Sequence, residues 1–280
     1  MRSKGTARAA AAALIVAGVS AAATLSANAA SRPHVRHHHR QATKPTIVLV
    51  HGAWADSGSW DAVIGRLQRD GYVVWAPPNP LMGLASDSGT IADFLHRISG
   101  PIVLVGHSYG GAVITNAAYG DSQVKALVYV DAYIPAQGDT LVSLTGAGSC
   151  FAVSDLNTVF TFVPFPGAPP KVADAYVHQS VFPGCFANGL PAREAAELAA
   201  TQRPLATNAL TDPSGPPAWA TIPSLAVVGT ADHVIPLVDQ LSMAHKAGAH
   251  ITEIDAPHLS MIADPRAVTS VIEEAGNRTG

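Results

Sequence analysis

Apolar residues in this chain come in short, unbroken bursts separated by amphipathic stretches. From residue 46 onward the bursts read TIVLV (46–50), YVVWAP (72–77), PIVLV (101–105), VKALVYVDA (124–132), SLAVVG (224–229) and HITEID (250–255). Each is short for a helix, and most lack the alternation of a strand with one wet face. They predict strands buried on both sides. Between them lie segments of helical period. WDAVIGRLQRDG places Val63, Ile64 and Leu67 on one face and stops at Gly71; SGTIADFLHRIS, AVITNAAYG, PLVDQLSMAHKAG and DPRAVTSVIEEAG follow later bursts. This alternation predicts an α/β fold, a mostly parallel sheet with helices on both faces.

The rhythm breaks between about residues 135 and 223. That interval holds FTFVPFPGAPP, one clear helical run, PAREAAELAATQ, and the chain's two cysteines, Cys150 and Cys185. An insertion of this size between two core strands reads as a cap over one edge of the sheet within a single domain spanning 45–280.

Residues 1–29 form a separate unit. MRSKGTAR is basic, AAAALIVAGVSAAATL is apolar, and ANAA supplies a small-residue cleavage site at Ala27–Ala29. The segment predicts a secretory signal peptide and a secreted product with no stable membrane anchor; a single-span anchor is the competing reading, against which stand the Ala-rich run and its Gly18 and Ser20. Losing Arg2, Lys4 and Arg8 takes the formal charge from −3 to −6. Residues 30–44, polar and without period, read as a disordered leader. Its His37–His39 tract has no second cluster to complete a metal site, so no metal is expected.

Export bears on the cysteines, because an oxidising compartment favours a Cys150–Cys185 bridge over two free thiols. The chain is 48% apolar and 13% charged. That composition supports one sizeable core and excludes a disordered polyelectrolyte. The acidic balance, with no Lys/Arg stripe, argues against a nucleic-acid partner.

The chemistry centres on GHSYGG (106–111), between a predicted strand and a predicted helix. This is G-x-S-x-G in the strand–turn–helix setting that lifts a serine hydroxyl above a sheet edge, with Gly106 and Gly110 small because side chains there would meet backbone. Ser108 needs a base and an orienting acid, met in the order Ser, Asp, His. Asp232 follows the strand SLAVVG, and His258 follows HITEID; both lie at strand carboxyl ends, where α/β sheets gather ligands. Asp131, at the end of VKALVYVDA, is the rival acid, and Asp255 reads as structural. His107 is expected to point away from the serine and His51 to order its loop. Main-chain amides of Ala53, in VHGAW, and Tyr109, after the serine, are the expected oxyanion donors.

VHGAW, GHSYGG, GTAD and PHLSM, in that order, resemble the α/β-hydrolases from about residue 46 to the end. The branch they are most similar to holds small methyl- and carboxylesterases and the plant hydroxynitrile lyases. The resemblance implies Ser108 as nucleophile, Asp232 as acid, His258 as base, and no cofactor. Gly52 stands where lyases of the branch carry threonine, and Leu259 where they carry a lysine after the histidine, so hydrolysis is expected over lyase chemistry. The expected function is a serine esterase acting on a small-molecule ester. Lactone hydrolysis, C–C cleavage and a non-catalytic binding role are the alternatives. Phe151, Phe160, Phe162, Phe165 and Phe182 suggest an apolar pocket, with ordinary cap packing as the competing reading.

Overall fold

The computed structural model of the protein describes residues 44–279. The expected signal peptide and all but the last residue of the expected leader lie outside them. In chain order the first strands are β1 (Thr46–Val50), β2 (Val74–Trp75), β3 (Ile102–His107) and β4 (Val124–Val130). Then come β5 (Phe160–Val163), β6 (Asp174–Val177) and β7 (Leu205–Ala206), followed by β8 (Ser224–Gly229) and β9 (His250–Ile254). The helices are α1 (Asp61–Arg69), α2 (Leu84–Leu95), α3 (Tyr109–Ala117), α4 (Leu141–Leu144), α5 (Ala192–Thr201), α6 (Leu237–Lys246), α7 (Ser260–Ala263) and α8 (Pro265–Asn277).

Six strands form one sheet in the order β2-β1-β3-β4-β8-β9, and every neighbouring pair is parallel. β3 and β8 are buried along their whole length, as unbroken apolar runs require when helices cover both faces. Helix α8 packs on α1 and on β3, β4 and β8, while α2 packs on α3, which lies against β1, β3 and β4. The edge strands depart from this. β9 is half-exposed. β2 pairs over two residues, against the six expected, because it has a neighbour on one side only and Pro77 and Pro78 cannot donate to a ladder.

Strand order fixes where a site can form. From β1 the chain lays β2 on one side, then crosses back to lay β3 on the other. At that reversal the carboxyl ends of β1 and β3 part, opening the crevice in which α/β sheets bind ligands.

The segment between β4 and β8 contains the expected helix, α5, and an antiparallel sheet β5-β6-β7 that the sequence pattern did not reveal. Its strands are two to four residues long and set among Pro and Gly, too short for a period of two to stand out. Cys150 and Cys185 are joined in a disulfide, with Cα atoms 5.8 Å apart. Closing a loop across a sequence separation of 35 removes unfolded-state entropy equivalent to about 3–4 kcal/mol. Reduction, or the double change Cys150→Ser and Cys185→Ser, is therefore expected to lower the unfolding free energy by about that amount in guanidinium titrations. An unmoved midpoint would refute the expectation.

Candidate functional site

Ser108 joins β3 to α3 with φ 52° and ψ −122°. An L-residue holds such a conformation only when its surroundings impose it. The imposition is steric. A Cβ on Gly110 would lie 2.5 Å from the Val50 carbonyl oxygen, and one on Gly106 2.5 Å from that of Gly110. The glycines on either side of the serine therefore let β1, β3 and α3 close up. Trp54 (φ 55°) and Asp131 (φ 45°) flank the same region, so three of the five non-glycine residues with left-handed φ among the described residues gather here.

The structure brings Ser108, His258 and Asp232 into one hydrogen-bonded line. The Ser108 hydroxyl lies 3.0 Å from His258 Nε2, and His258 Nδ1 lies 2.8 Å from Asp232 Oδ2. Both the histidine and the aspartate side chains are fully buried. With Nδ1–H donating to the carboxylate, Nε2 keeps its lone pair for the serine proton. The Asp232 carboxylate accepts three further N–H bonds: Val234 N (2.7 Å) and Ile235 N (2.9 Å) at Oδ1, and Gln240 Nε2 (2.8 Å) at Oδ2.

Asp131 takes no part in this line. Its Oδ1 accepts from Gly229 N at 2.8 Å, and its Oδ2 from the Ser260 hydroxyl and amide. It ties the end of β4 to β8 and to α7. Burial, and then the charge of Asp232, push its carboxyl well above the usual carboxylate range. Asp255 is exposed at the end of β9.

His51 and His107, the other buried histidines among the described residues, are braces. His107 donates from Nε2 to the His258 carbonyl oxygen at 2.9 Å, so it points away from the serine and holds the loop of the proposed base. His51 donates from Nδ1 to the Gly52 carbonyl (2.9 Å) and accepts the Asn79 amide at Nε2 (2.9 Å). The Gly52 carbonyl belongs to the peptide whose N–H is that of Ala53, so this bond fixes how that N–H is presented. Arg203, from the segment between α5 and β7, donates to the Asn79 carbonyl at 2.9 Å and completes the brace.

Ala53 and Tyr109 are both buried and line one cavity with Ser108. Among the described residues, neither amide donates to a protein acceptor. Buried backbone donors are nearly always paired, so two unpaired ones lining the same cavity as Ser108 are free to donate to a bound group. The cavity, about 270 Å³, is walled by Trp54, Leu141, Phe151, Phe160, Leu205 and Val234, with Val142, Val153 and Leu156 at its edge. No charged side chain lines it. Its polar side chains are mostly engaged elsewhere: the Tyr109 hydroxyl on Asp87 (2.7 Å), the Tyr133 hydroxyl on Thr145 (2.8 Å), Trp54 Nε1 on the Ala175 carbonyl (2.9 Å). Of the five phenylalanines considered above, Phe151 and Phe160 reach this cavity, and Phe182 lines a smaller pocket on the other side of Trp54.

Gln240, Asn79 and Arg203 were not singled out by the sequence pattern. The one available signal was Gln240 on the apolar side of α6, where it is 2% exposed.

A family model described as "Alpha/beta hydrolase family" matches residues 47–271. A carbendazim-hydrolyzing esterase of Nocardioides sp. is 34% identical over 111 residues, covering 35% of this chain and 46% of that protein. A pyrethroid hydrolase of Sphingobium wenxiniae is 35% identical over 112 residues, 35% of this chain and 39% of that protein. The alignments thus span less than half the length of these two curated relatives. Among solved structures, an extracellular alpha/beta-hydrolase from a Paenibacillus species superposes with a TM-score of 0.64 at 20% identity, over 83% of this chain and 99% of that one.

The buried histidines give the site a defined response to acid. Desolvation lowers His51 from 6.5 to about 4 and His107 well below 6.5. The unfolded chain takes up these protons below pH 6.5 and the native state does not, so their contribution is complete above that value and drains away as the pH falls towards 4. For His51 the loss amounts to roughly 3 kcal/mol. His51→Gln should therefore lose less stability than the parent between pH 6.5 and 4 in denaturant titrations; parallel curves would contradict the assignment.

Proposed function

The chain belongs to the alpha/beta hydrolase family, and from that premise we propose that it is a serine esterase cleaving small, neutral, apolar esters. The observation that carries this reading is the Ser108–His258–Asp232 line, ending at a serine in a cavity that Ala53 and Tyr109, with unpaired amides, also line. His258 Nε2 takes the Ser108 proton as Oγ bonds to the acyl carbon, and the carbonyl oxygen becomes an anion held by the Ala53 and Tyr109 N–H groups. Each such donor is worth about 3–4 kcal/mol in the transition state. As the intermediate collapses, His258 gives the proton to the departing alkoxide, leaving an acyl group on Ser108. Water then attacks with His258 as base; the acid departs and the proton returns to Oγ. Asp232 holds the imidazole in the required tautomer and offsets its positive charge.

Two features favour hydrolysis over lyase chemistry. A Cβ at Gly52 would lie 2.7 Å from Ser108 Cβ, which leaves no room there for the threonine side chain of the lyases. Leu259, directly after His258, is a buried apolar residue and offers no ammonium to a leaving cyanide. The apolar preference follows from a cavity that presents its ligand with hydrocarbon, one serine and two amides.

The disulfide favours export, with cleavage near Ala29. Among the described residues no helix is long and apolar enough to cross a membrane.

Ser108→Ala should reduce turnover of a short p-nitrophenyl ester by about 10⁴-fold or more without changing the melting temperature. Retained turnover would remove the reading. Gln240→Leu unties one oxygen of Asp232 and should lower kcat by about 10- to 100-fold with KM little changed, as small misplacements of catalytic groups do. A wild-type kcat in that variant would show that Gln240 does not position the acid.

A further inference from the structure

Three large apolar side chains stand exposed at the edge of the cavity over Ser108: Val142 (59%), Val153 (37%) and Leu156 (47%). They belong to one stretch of chain, residues 142–156, whose neighbouring residues Leu141 and Phe151 face the cavity interior. Leu141 is 2% exposed, next in sequence to the outward Val142, so α4 presents one apolar residue to each side of the rim. The loop carrying Val153 and Leu156 leaves from Cys150, which the disulfide anchors to Cys185. Cys150 N also donates to the His233 carbonyl at 2.8 Å, beside Asp232. The loop is therefore anchored at its base, and its apolar groups stand in water beside the opening. Exposed apolar residues that also line a cavity extend its apolar wall to the surface.

Cavity size gives the second half of the argument. An apolar cavity of about 150 Å³ accommodates benzene. The 270 Å³ here holds one substituted ring or a short branched chain. A larger hydrophobic ester must leave part of itself outside, and the rim continues the apolar wall outward.

We propose that the substrate class is a neutral ester with two apolar lobes flanking the ester group, one filling the cavity and the other spread over Val142, Val153 and Leu156. This rests on the esterase reading above. Anionic lobes are rejected, because the cavity lining supplies no cationic side chain.

The test compares benzyl benzoate with methyl benzoate and benzyl acetate, each kept below its solubility limit. Benzyl benzoate carries two lobes; each of the others carries one. The wild-type kcat/KM for benzyl benzoate should exceed both others by at least about tenfold, the order of gain from burying one additional ring face. In the triple variant V142S/V153S/L156S the ratio of benzyl benzoate to methyl benzoate should fall towards one, with an unchanged melting temperature showing that the fold is intact. Equal kcat/KM for the three esters, or an advantage that survives the triple change, overturns the proposal. So does sedimentation of the wild type, but not the triple variant, with phosphatidylcholine vesicles, which would make the rim a lipid-surface contact. Turnover of methyl benzoate and its loss in Ser108→Ala bear on the esterase reading alone, so a failure confined to the ratios is distinguishable from a failure of that reading.

Discussion

Ser108 holds its conformation because the backbone around it is already committed. Its amide donates to the Val130 carbonyl at 3.2 Å, and its own carbonyl accepts from Gly111 N (2.9 Å) and Tyr133 N (3.2 Å). The turn is thus tied into β4 on one side and α3 on the other. A backbone in this region costs about 1–3 kcal/mol and persists when its surroundings over-determine it. Here a fully buried parallel sheet supplies the determination, and the three close-approach glycines, 52, 106 and 110, allow it. The arrangement of hydroxyl, imidazole and amides follows from that one commitment, since each sits on a loop leaving the same edge of the same sheet.

The brace around the acid loop extends this logic into the insertion. Asn188 Nδ2 donates to the Ala231 carbonyl (2.8 Å), Cys150 N to the His233 carbonyl (2.8 Å), and His233 Nδ1 to the Gly184 carbonyl (3.1 Å). Residues beside both halves of the disulfide therefore hold the chain on either side of Asp232. The disulfide closes the insertion on itself, and these bonds also staple it to the segment that carries the proposed acid.

What could be read in the sequence follows from how strongly each feature is encoded. The central strands were legible because burial on both faces forces an unbroken run of apolar residues, and β8 was found at the residues expected, 224–229. The serine turn was legible because its sterics demand glycine at fixed spacing. β2 was drawn too long because apolar character persists at an exposed edge beyond the paired residues Val74 and Trp75, as the 61% exposure of Val73 shows. Asp131 was read as a rival acid. Strand ends alone cannot distinguish a carboxylate aimed at an imidazole from one aimed at Gly229 and Ser260. Asn79 and Arg203 act through partners distant in sequence, and no local period marks them; Gln240, eight residues from Asp232, is marked only by its place on the apolar side of α6. The small sheet of the insertion escaped for the opposite reason, since its strands are too short to carry a period at all.

Trp54 follows Ala53 directly, holds a left-handed φ of 55°, and donates its indole N–H to the Ala175 carbonyl in β6. Its ring packs against Phe151, Phe160 and Phe186 at centroid distances of 5.1–5.7 Å. One residue therefore belongs both to the roof of the cavity and to the peptide chain that presents the Ala53 amide. A roof joined in this way cannot swing aside as a door without dragging the amide with it. The Trp54 side of the cavity is thereby set like a lintel, its place decided by the same chain that carries the amide.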